Sequence, residues 1–155
     1  MLYNVPMSEQ IRIAQVSIED TLDVVNQVPE FDISKPHLSD DYQARMENKD
    51  PVAFVGYLDE KPAGFIIAYD KYGDGSWYCW RAGVIPNFRR KGIHSALMSE
   101  FEKTAKQKEY RMVKIVTRNN RREMLSYLVN NDWCFIEMFP RETIEDSRML
   151  LVKQL

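Results

Sequence analysis

Between Trp77 and Ala105 the chain passes from a strand pattern through a basic turn into a helix pattern. The run WYCWRAGVI is rich in aromatic and β-branched residues and ends at Pro86, as is typical of a strand. Three adjacent basic residues, Arg89–Lys91, then precede Gly92, and beyond it apolar residues recur at steps of four, as on one face of a helix. A further strand pattern follows, so the segment predicts a β-α-β crossover.

The remaining segments predict strands and helices on both sides of this crossover. Strand patterns lie at 11–16, 52–59, 61–70, 77–85, 111–118, 134–140 and 148–155. Helix patterns begin at 17, near 39 and after 92, and a fourth covers 121–131. Short turns join antiparallel neighbours, while the crossover adds a parallel pair. The sequence therefore predicts one α/β (α+β) domain over 1–155: a mixed, mostly antiparallel sheet of six to seven strands flanked by four helices.

Composition narrows the class of protein. The chain has 155 residues, 45% of them hydrophobic, and a formal net charge of −2. This suits one folded domain and provides no overall positive field for nucleic acid or membrane. The first ten residues lack a signal-peptide pattern and no run is long enough to span a bilayer, so a cytoplasmic protein is expected. Cys79 and Cys134 are expected to be buried free thiols, and no metal site is indicated.

The turn before the third helix predicts a local anion site. The N–H groups of a first helical turn have no partner within the helix, and the helix entrance carries partial positive charge. Gly92 has no side chain, so an oxygen-rich ligand can approach the backbone closely, and Arg89–Lys91 add charge. Phosphate fits such a site. The alternative is a solvated basic turn that binds nothing.

The stretch AGVIPNFRRKGIHSAL resembles the acetyl-CoA loop of the GCN5-related N-acetyltransferases, the GNAT superfamily. The family pattern is Arg or Gln, two residues, Gly, one residue, then Gly or Ala, after a strand ending in Val-x-Pro. Arg89, Gly92 and the Val84-x-Pro86 pattern match, whereas His94 replaces the final Gly or Ala. The predicted element order resembles the family from Ile11 onward. The resemblance implies a GNAT-like fold, acetyl-CoA as co-substrate and no metal.

The resemblance also implies which residues contact acetyl-CoA. The pantetheine arm is expected to pair with the backbone of Ala82, Gly83 and Val84. The pyrophosphate is expected to lie in the loop of Arg89, on the amides of Arg90, Lys91, Gly92, Ile93, His94 and Ser95. The next strand, 112–118, is expected to separate from the strand at 77–85 so that the thioester fits between them. For the His94 side chain three interpretations are open: it points outward, bonds a CoA phosphate, or crowds the loop.

Members of the family often carry Asn and, seven residues later, Tyr, and NRREMLSY places Asn120 and Tyr127 at that spacing. The resemblance implies that a primary amine attacks the thioester directly and that Tyr127 protonates, or hydrogen-bonds, the leaving thiolate. The alternative is that Tyr127 lies at the edge of the core with its hydroxyl in water. The family's Gly-Phe after this helix appears as Asp132–Trp133, one residue late.

The general base is not defined by the sequence. Glu60, Asp70 and Asp74 are acidic candidates near turns, although a solvated turn is the commoner role of such residues. A chain of water molecules to solvent is the alternative.

The acceptor is expected to be a small-molecule or peptide amine. The resemblance places its pocket at roughly 28–50 and 135–146, where acidic residues either attract a cationic amine or form a soluble face. Trp77, Tyr78 and Trp80 are either an aromatic wall for a cation or part of the core. A homodimer is left open.

Two other functions were weighed. A catalytically weak module that binds CoA or another phosphate ligand, as a sensor or structural part, is the alternative, because His94 and Asp132–Trp133 depart from the family pattern. Nucleic-acid binding through basic residues around 118–122 is disfavoured, because the net charge is negative and no aromatic residues alternate with the arginines.

Overall fold

The computed structural model describes residues 9–32 and 34–155. The strands are β1 (Ile11–Val16), β2 (Val52–Leu58), β3 (Lys61–Tyr69), β4 (Ser76–Val84), β5 (Met112–Arg118), β6 (Cys134–Phe139) and β7 (Arg148–Gln154). The α-helices are α1 (Ile18–Val25), α2 (Ser39–Met46), α3 (Ile93–Gln107) and α4 (Arg122–Asn130). A 3-10 turn, Pro86–Phe88, precedes the basic turn. The predicted element order and fold class are confirmed.

The sheet has the strand order β1-β2-β3-β4-β5-β7-β6. All neighbouring strands are antiparallel except β4 and β5, which run parallel. A parallel pair needs a crossover, which α3 provides, so this pair lies in the middle of the sheet between two antiparallel halves.

Two apolar clusters cover the two faces of the sheet. The cluster under α3 and α4 includes Trp77 and Phe101, whose rings stack with centroids 5.2 Å apart. The cluster under α1 and α2 includes Val25 and Phe65, both fully buried. Removal of these apolar side chains from water is the main stabilising contribution to the fold. The two layers of helices therefore define two different faces beside the β4–β5 junction.

The start of α3 lies close to the sheet because residue 64 is a glycine. A Cβ atom there would lie 3.0 Å from Cγ2 of Ile93 and 3.2 Å from Cδ1 of Leu97. Both side chains are buried, together with Phe101. The apolar face predicted for this helix thus packs on the sheet and holds the helix entrance at the end of β4.

The two cysteines differ in exposure. Cys79 is buried in β4, and burial raises the pKa of its thiol to about 12. The expectation of a buried thiol is wrong for Cys134, which is exposed because β6 is the edge strand of the sheet. Within the described residues no helix has the length and apolar character needed to cross a bilayer.

Candidate active site

Strands β4 and β5 pair over only part of their length. Residues Ser76–Cys79 pair with Met112–Ile115, and the ladder ends there. The later residues of both strands, 80–84 and 116–118, continue without pairing to each other, although β5 still pairs with β7. The expected separation of the strands is therefore present. It opens a gap at the carboxyl ends of two parallel strands, where α/β proteins commonly bind ligands.

The register of β4 decides which of its backbone groups face this gap. The N–H of Ile85 donates to the carbonyl of Ala63 at 2.8 Å. In the alternation of an antiparallel ladder, the backbone groups of Gly83 are then also directed to β3. Those of Ala82 and Val84 are directed to the gap. Of the three predicted pantetheine contacts, two therefore offer backbone groups on the open side.

The turn between β4 and α3 leaves a run of backbone N–H groups unpaired. Gly92 is the N-cap of α3 with φ 89°, and no side chain caps the helix. The first bond into the helix runs from the N–H of Ala96 to the carbonyl of Gly92, at 3.1 Å. Within the described residues no acceptor receives the N–H groups of Arg90, Lys91, Gly92, Ile93, His94 and Ser95. These six donors, here called the amide cradle, suit an anion such as a diphosphate.

Two basic side chains of the turn lie near carboxylates, although that of Arg90 is 87% exposed to solvent. Lys91 Nζ lies 2.8 Å from Glu9 Oε1, and Arg90 Nη2 lies 3.7 Å from Glu123 Oε1. Arg90 itself takes a left-handed conformation, with φ 63°, which turns the backbone into the helix. The donors that the turn leaves free are thus its main-chain amides and the exposed Arg90 side chain, whereas sequence reasoning gave all three basic side chains this role.

Glu30, in the α1–α2 connection, joins the two sides of the gap. Arg89 donates to its carboxylate at 2.7 Å, and Arg121, before α4, donates to its carbonyl at 3.2 Å. Burial tends to raise the pKa of Glu30, but the hydrogen bond from Arg89 and the two guanidinium charges hold that pKa below its usual value. Arg89 also donates to the carbonyl of Val84 at 3.0 Å. The sequence placed Glu30 only among the acidic residues of the expected acceptor region and gave no sign of these contacts, because nothing local links residue 30 to 89 or 121.

His94 turns its imidazole inward. The ring meets that of Tyr127 edge-on, with centroids 4.8 Å apart, and its Nε2 is buried without a hydrogen-bond partner in the described residues. Burial lowers the pKa of His94 to about 4, although the carboxylate of Glu123 opposes this. The interpretation of an outward side chain is wrong, because His94 lies on the same face of α3 as Leu97 and Phe101. Its three- and seven-residue spacing to them was the signal that sequence reasoning left unused.

Tyr127 lies half-buried on α4 beside the cluster under α3. Burial, and then the negative charge of Glu102, raise the pKa of its phenol, so the hydroxyl stays protonated at neutral pH. Asp132 takes the left-handed conformation that the family's glycine would favour, with φ 68°, and Trp133 is buried in the core. The departure in sequence therefore leaves the end of α4 in the expected form. Asn120 lies in the β5–α4 turn with its side chain exposed.

The acidic candidates for a general base are engaged elsewhere. Glu60 forms a two-contact ion pair with Arg12, at 3.0 and 2.8 Å. Asp74 accepts a hydrogen bond from Lys114, and this bond is the main reason why the pKa of Asp74 falls to about 2. Asp70 accepts from the N–H of Gly73 in the turn before β4, at the paired end of the β4–β5 ladder. Each of these three acids is therefore already engaged in a contact away from the gap.

A polar network that sequence reasoning missed lies on the α1–α2 face. Arg81 of β4 donates to the Tyr42 hydroxyl at 2.6 Å, and that hydroxyl lies 2.9 Å from Nδ1 of His37. Burial raises the pKa of Tyr42, although Arg81 opposes this. A strand residue paired with a distant helix and loop has no signature in the sequence.

The aromatic residues of β4 divide between core and cleft. Trp77 is fully buried, and Tyr78 is 5% exposed. Trp80 is half-buried, with the guanidinium carbon atoms of Arg45 and Arg81 each 4.6 Å from its ring centroid. Trp77 is thus a core residue, and the ring of Trp80 is already in contact with two arginine side chains of the protein itself.

A family model described as the Acetyltransferase (GNAT) family matches residues 19–127. The chain therefore belongs to the GNAT family, and the expectation of an acetyltransferase enzyme is confirmed. A search of curated proteins found no match.

Solved structures of GNAT enzymes share this fold at low sequence identity. The ribosomal-protein-S18-alanine N-acetyltransferase of Escherichia coli has a TM-score of 0.74 at 10% identity, covering 94% of both chains. The PaiA N-acetyltransferase of Thermoplasma acidophilum, in complex with coenzyme A, has a TM-score of 0.67 at 16% identity, covering 94% of this chain and 99% of that one. A GNAT family acetyltransferase of Elizabethkingia anophelis with acetyl-CoA bound has a TM-score of 0.70 at 14% identity, covering 96% and 99%.

Proposed function

We propose that this enzyme transfers an acetyl group from acetyl-CoA to a primary amine, which attacks the thioester directly. The observation that carries the proposal is the position of the amide cradle beside the gap that opens beyond Cys79 and Ile115. Unpaired N–H groups at a helix entrance suit a diphosphate, and a gap between parallel strands suits a narrow arm that ends in a thioester. Two of the GNAT structures above hold coenzyme A or acetyl-CoA, which agrees with this assignment.

The roles of the predicted residues follow from their positions. We assign the diphosphate to the amides of 90–95 and the amide groups of the pantetheine arm to the backbone of Ala82 and Val84. Arg89 positions the loop through Glu30 and Val84. Gly83 admits the α1–α2 connection, because a Cβ there would lie 2.9 Å from Cγ1 of Val28. Asn120, in the β5–α4 turn, is a further proposed cofactor contact.

Acetyl-CoA supplies the acyl group as a thioester. The amine nitrogen forms a bond to the acyl carbon, the carbon–sulfur bond breaks, and its electron pair leaves with the sulfur. In our proposal Tyr127 gives its phenolic proton to that sulfur, and its raised pKa keeps the proton available at neutral pH. The amine loses its own proton to water, and solvent restores the proton of Tyr127.

Two measurements test the proposal. Isothermal titration of the protein with acetyl-CoA should give saturable binding, and a free-thiol assay with acetyl-CoA should show release of CoA for at least one class among polyamines, amino acids, aminoglycosides and peptide N-termini. Binding without thiol release across the whole panel would favour the sensor or structural module. A flat titration at high micromolar protein would contradict both the acetyltransferase and a module that binds CoA.

A further inference from the structure

We propose that the acceptor amine carries an anionic group, a carboxylate or a phosphate, which binds to Arg81, Lys71 and Arg148 beside the gap on the α1–α2 face of the sheet. This inference rests on the proposed acetyltransferase function, because it assigns the chemical class of the acceptor at the same site. Four cations of this face that form no ion pair among the described residues, Arg45, Lys71, Arg81 and Arg148, are here called the cationic cluster; Lys114 and Arg118, on the same face, are paired with Asp74 and Asp146.

A bulge in β4 brings Arg81 to this face. Ile67 pairs with Arg81 and Ala68 pairs with Cys79, so Trp80 has no partner in β3. Because a bulge breaks the alternation of side chains, Trp80 and Arg81 both lie on the α1–α2 side. Arg81 stands two residues beyond Cys79, the last residue of β4 that pairs with β5. Its guanidinium therefore adjoins the gap.

Arg148 approaches from the other side of the gap. It pairs with Arg118, which lies in the part of β5 that has left β4. Met149, the next residue of β7, belongs to the cluster under α3 and α4, so by strand alternation Arg148 faces the α1–α2 side. The charges of Arg148 and Arg45 add to burial in lowering the pKa of Lys71, as expected for neighbouring cations.

The carboxylates that contact cations on this face pair outside the cationic cluster, Asp74 with Lys114 and Asp146 with Arg118. Among the described residues, none of its four members forms an ion pair, whereas nine other Lys and Arg residues do. Aromatic rings contact three of the four instead: Arg45 and Arg81 lie at Trp80, and Lys71 has its Nζ 4.8 Å from the centroid of Tyr78. Like charges gathered without counter-charges repel one another, and a bound anion relieves that repulsion.

Two buried donors on this face also lack acceptors in the described part of the chain, Arg148 Nε and His37 Nε2. The tautomer of His37 follows from its neighbours. Arg81 can only donate, and its Nη1 lies 2.6 Å from the Tyr42 oxygen and 3.4 Å from Nδ1 of His37, so both atoms face it as acceptors. With Nδ1 accepting, the proton of the neutral ring lies on Nε2. An orphaned buried donor costs free energy, and an anionic ligand supplies the missing acceptor.

The amine reaches the gap from this same face. Tyr127, the proposed proton donor, packs against the cluster under α3 and α4 on the opposite face. Because Tyr127 occupies that side of the gap, we assign the acceptor to the other side, beside Trp80 and Arg81. Glu30, an acid of the α1–α2 connection, is already bound by Arg89 and Arg121 and offers no free carboxylate to a cationic acceptor.

The experiment compares acceptors that share a primary amine and differ in the group at the other end of the molecule. γ-Aminobutyrate is assayed by thiol release against its primary amide and putrescine, and O-phosphoethanolamine against ethanolamine. We expect the carboxylate or the phosphate probe to exceed its uncharged match in kcat/KM by about tenfold or more, which corresponds to about 1.4 kcal/mol. If only one pair shows this difference in kcat/KM, that pair identifies whether the site prefers a carboxylate or a phosphate. Equal values within both pairs, or preference for putrescine, would overturn the inference while leaving the acetyltransferase function intact.

Variants tie the preference to the cluster. Lys71→Gln, at an exposed residue, and Arg81→Gln should each reduce the preference for the anionic probe several-fold through KM, and Arg81→Lys should restore part of it. Lys103→Gln removes the same charge from the outer side of α3 and should change nothing. If no amine releases thiol, calorimetry of the CoA-saturated protein with both anionic probes decides. Binding that Lys71→Gln weakens supports the inference, and absence of binding, or binding insensitive to Lys71→Gln and Arg81→Gln, overturns it.

Discussion

The imidazole of His94 meets the ring of Tyr127 edge-on, with their centroids 4.8 Å apart and their planes at 87°. The contact joins the first turn of α3, beside the amide cradle, to the helix that carries the proposed proton donor. Since both side chains are packed against the cluster under α3, the phenol has a restricted position relative to the gap. Such positioning is what a group acting on a bound thioester requires.

Tyr127→Phe removes only the hydroxyl. We expect kcat to fall about a hundredfold or more, because protonation of the leaving sulfur is lost, while the Kd for acetyl-CoA stays within about twofold. Steady-state thiol release and isothermal titration measure the two quantities. The matched control is Tyr57→Phe on β2, another half-buried tyrosine, which should leave both unchanged. Unaltered turnover in Tyr127→Phe would remove this residue from the mechanism.

His94 should make the stability depend on pH. Its pKa is about 4 in the folded protein and about 6.5 when the chain is unfolded, so between these values the unfolded state binds more protons. The contribution of the neutral His94 to the free energy of unfolding is therefore fully present above pH 6.5. It is lost as the pH falls toward 4, by up to about 3 kcal/mol. Urea unfolding at several pH values should show a smaller loss for His94→Phe, which keeps the ring but cannot titrate. The wild type and His94→Phe share the same carboxyl groups, so a difference between them reports on His94. Parallel curves of unfolding free energy against pH would show that His94 has no such effect.

Gly92→Ala tests the amide cradle. Gly92 has φ 89°, where a Cβ is strained, although the space is sufficient, since the nearest atom would be Cδ1 of Ile11 at 3.4 Å. We expect a loss of about 1 kcal/mol in stability and at least a tenfold weaker Kd for acetyl-CoA, because relief of the strain moves the amides. Gly73→Ala is the control, because Gly73 has φ 61°, open surroundings and a position in the turn before β4. It should lose similar stability with unchanged affinity, and equal affinities in both variants would refute the assignment.

A double-mutant cycle with Glu30→Gln and Arg89→Gln measures the coupling free energy of the Glu30–Arg89 ion pair. The cycle separates this energy from that of the hydrogen bond between Arg89 and the carbonyl of Val84. Their side chains are 29% and 36% exposed, so solvent weakens the pair, and we expect a coupling free energy of about 1 kcal/mol at pH 7. The folded-state pKa of Glu30 is lowered, so this contribution is present above the ordinary value of 4.5 and is lost as the pH falls through the folded value. Chemical denaturation of the four proteins at pH 7 and pH 3 measures it. Additive effects at pH 7 would mean that the contact contributes nothing.

Local sequence patterns were sufficient to predict the helices and strands and the unpaired N–H groups of the amide cradle. The steps of four after Gly92 predicted α3, and the glycine beside a helix entrance predicted free amides, because backbone conformation and helix hydrogen bonding depend on near neighbours. The side-chain direction of His94 was left open although its spacing to Leu97 and Phe101 was visible. The loop motif concerns the backbone of this turn and does not indicate on which face of the helix a side chain lies. The exposure of Cys134 needed the strand order, which an isolated apolar run does not contain.

The chain order of residues was enough to predict a mixed sheet with a crossover and an anion-binding helix entrance at residues 89–95. Only the folded structure showed that the β4–β5 ladder ends at Cys79 and Ile115 and that Glu30 reaches Arg89. Only the folded structure, too, placed Arg81 and Arg148 on the same face of the sheet, neither of them in an ion pair among the described residues. The physical reason is distance along the chain. Periodicity and turn chemistry act over a few residues, whereas strand register, bulges and packing bring together side chains whose separation in sequence leaves no local trace.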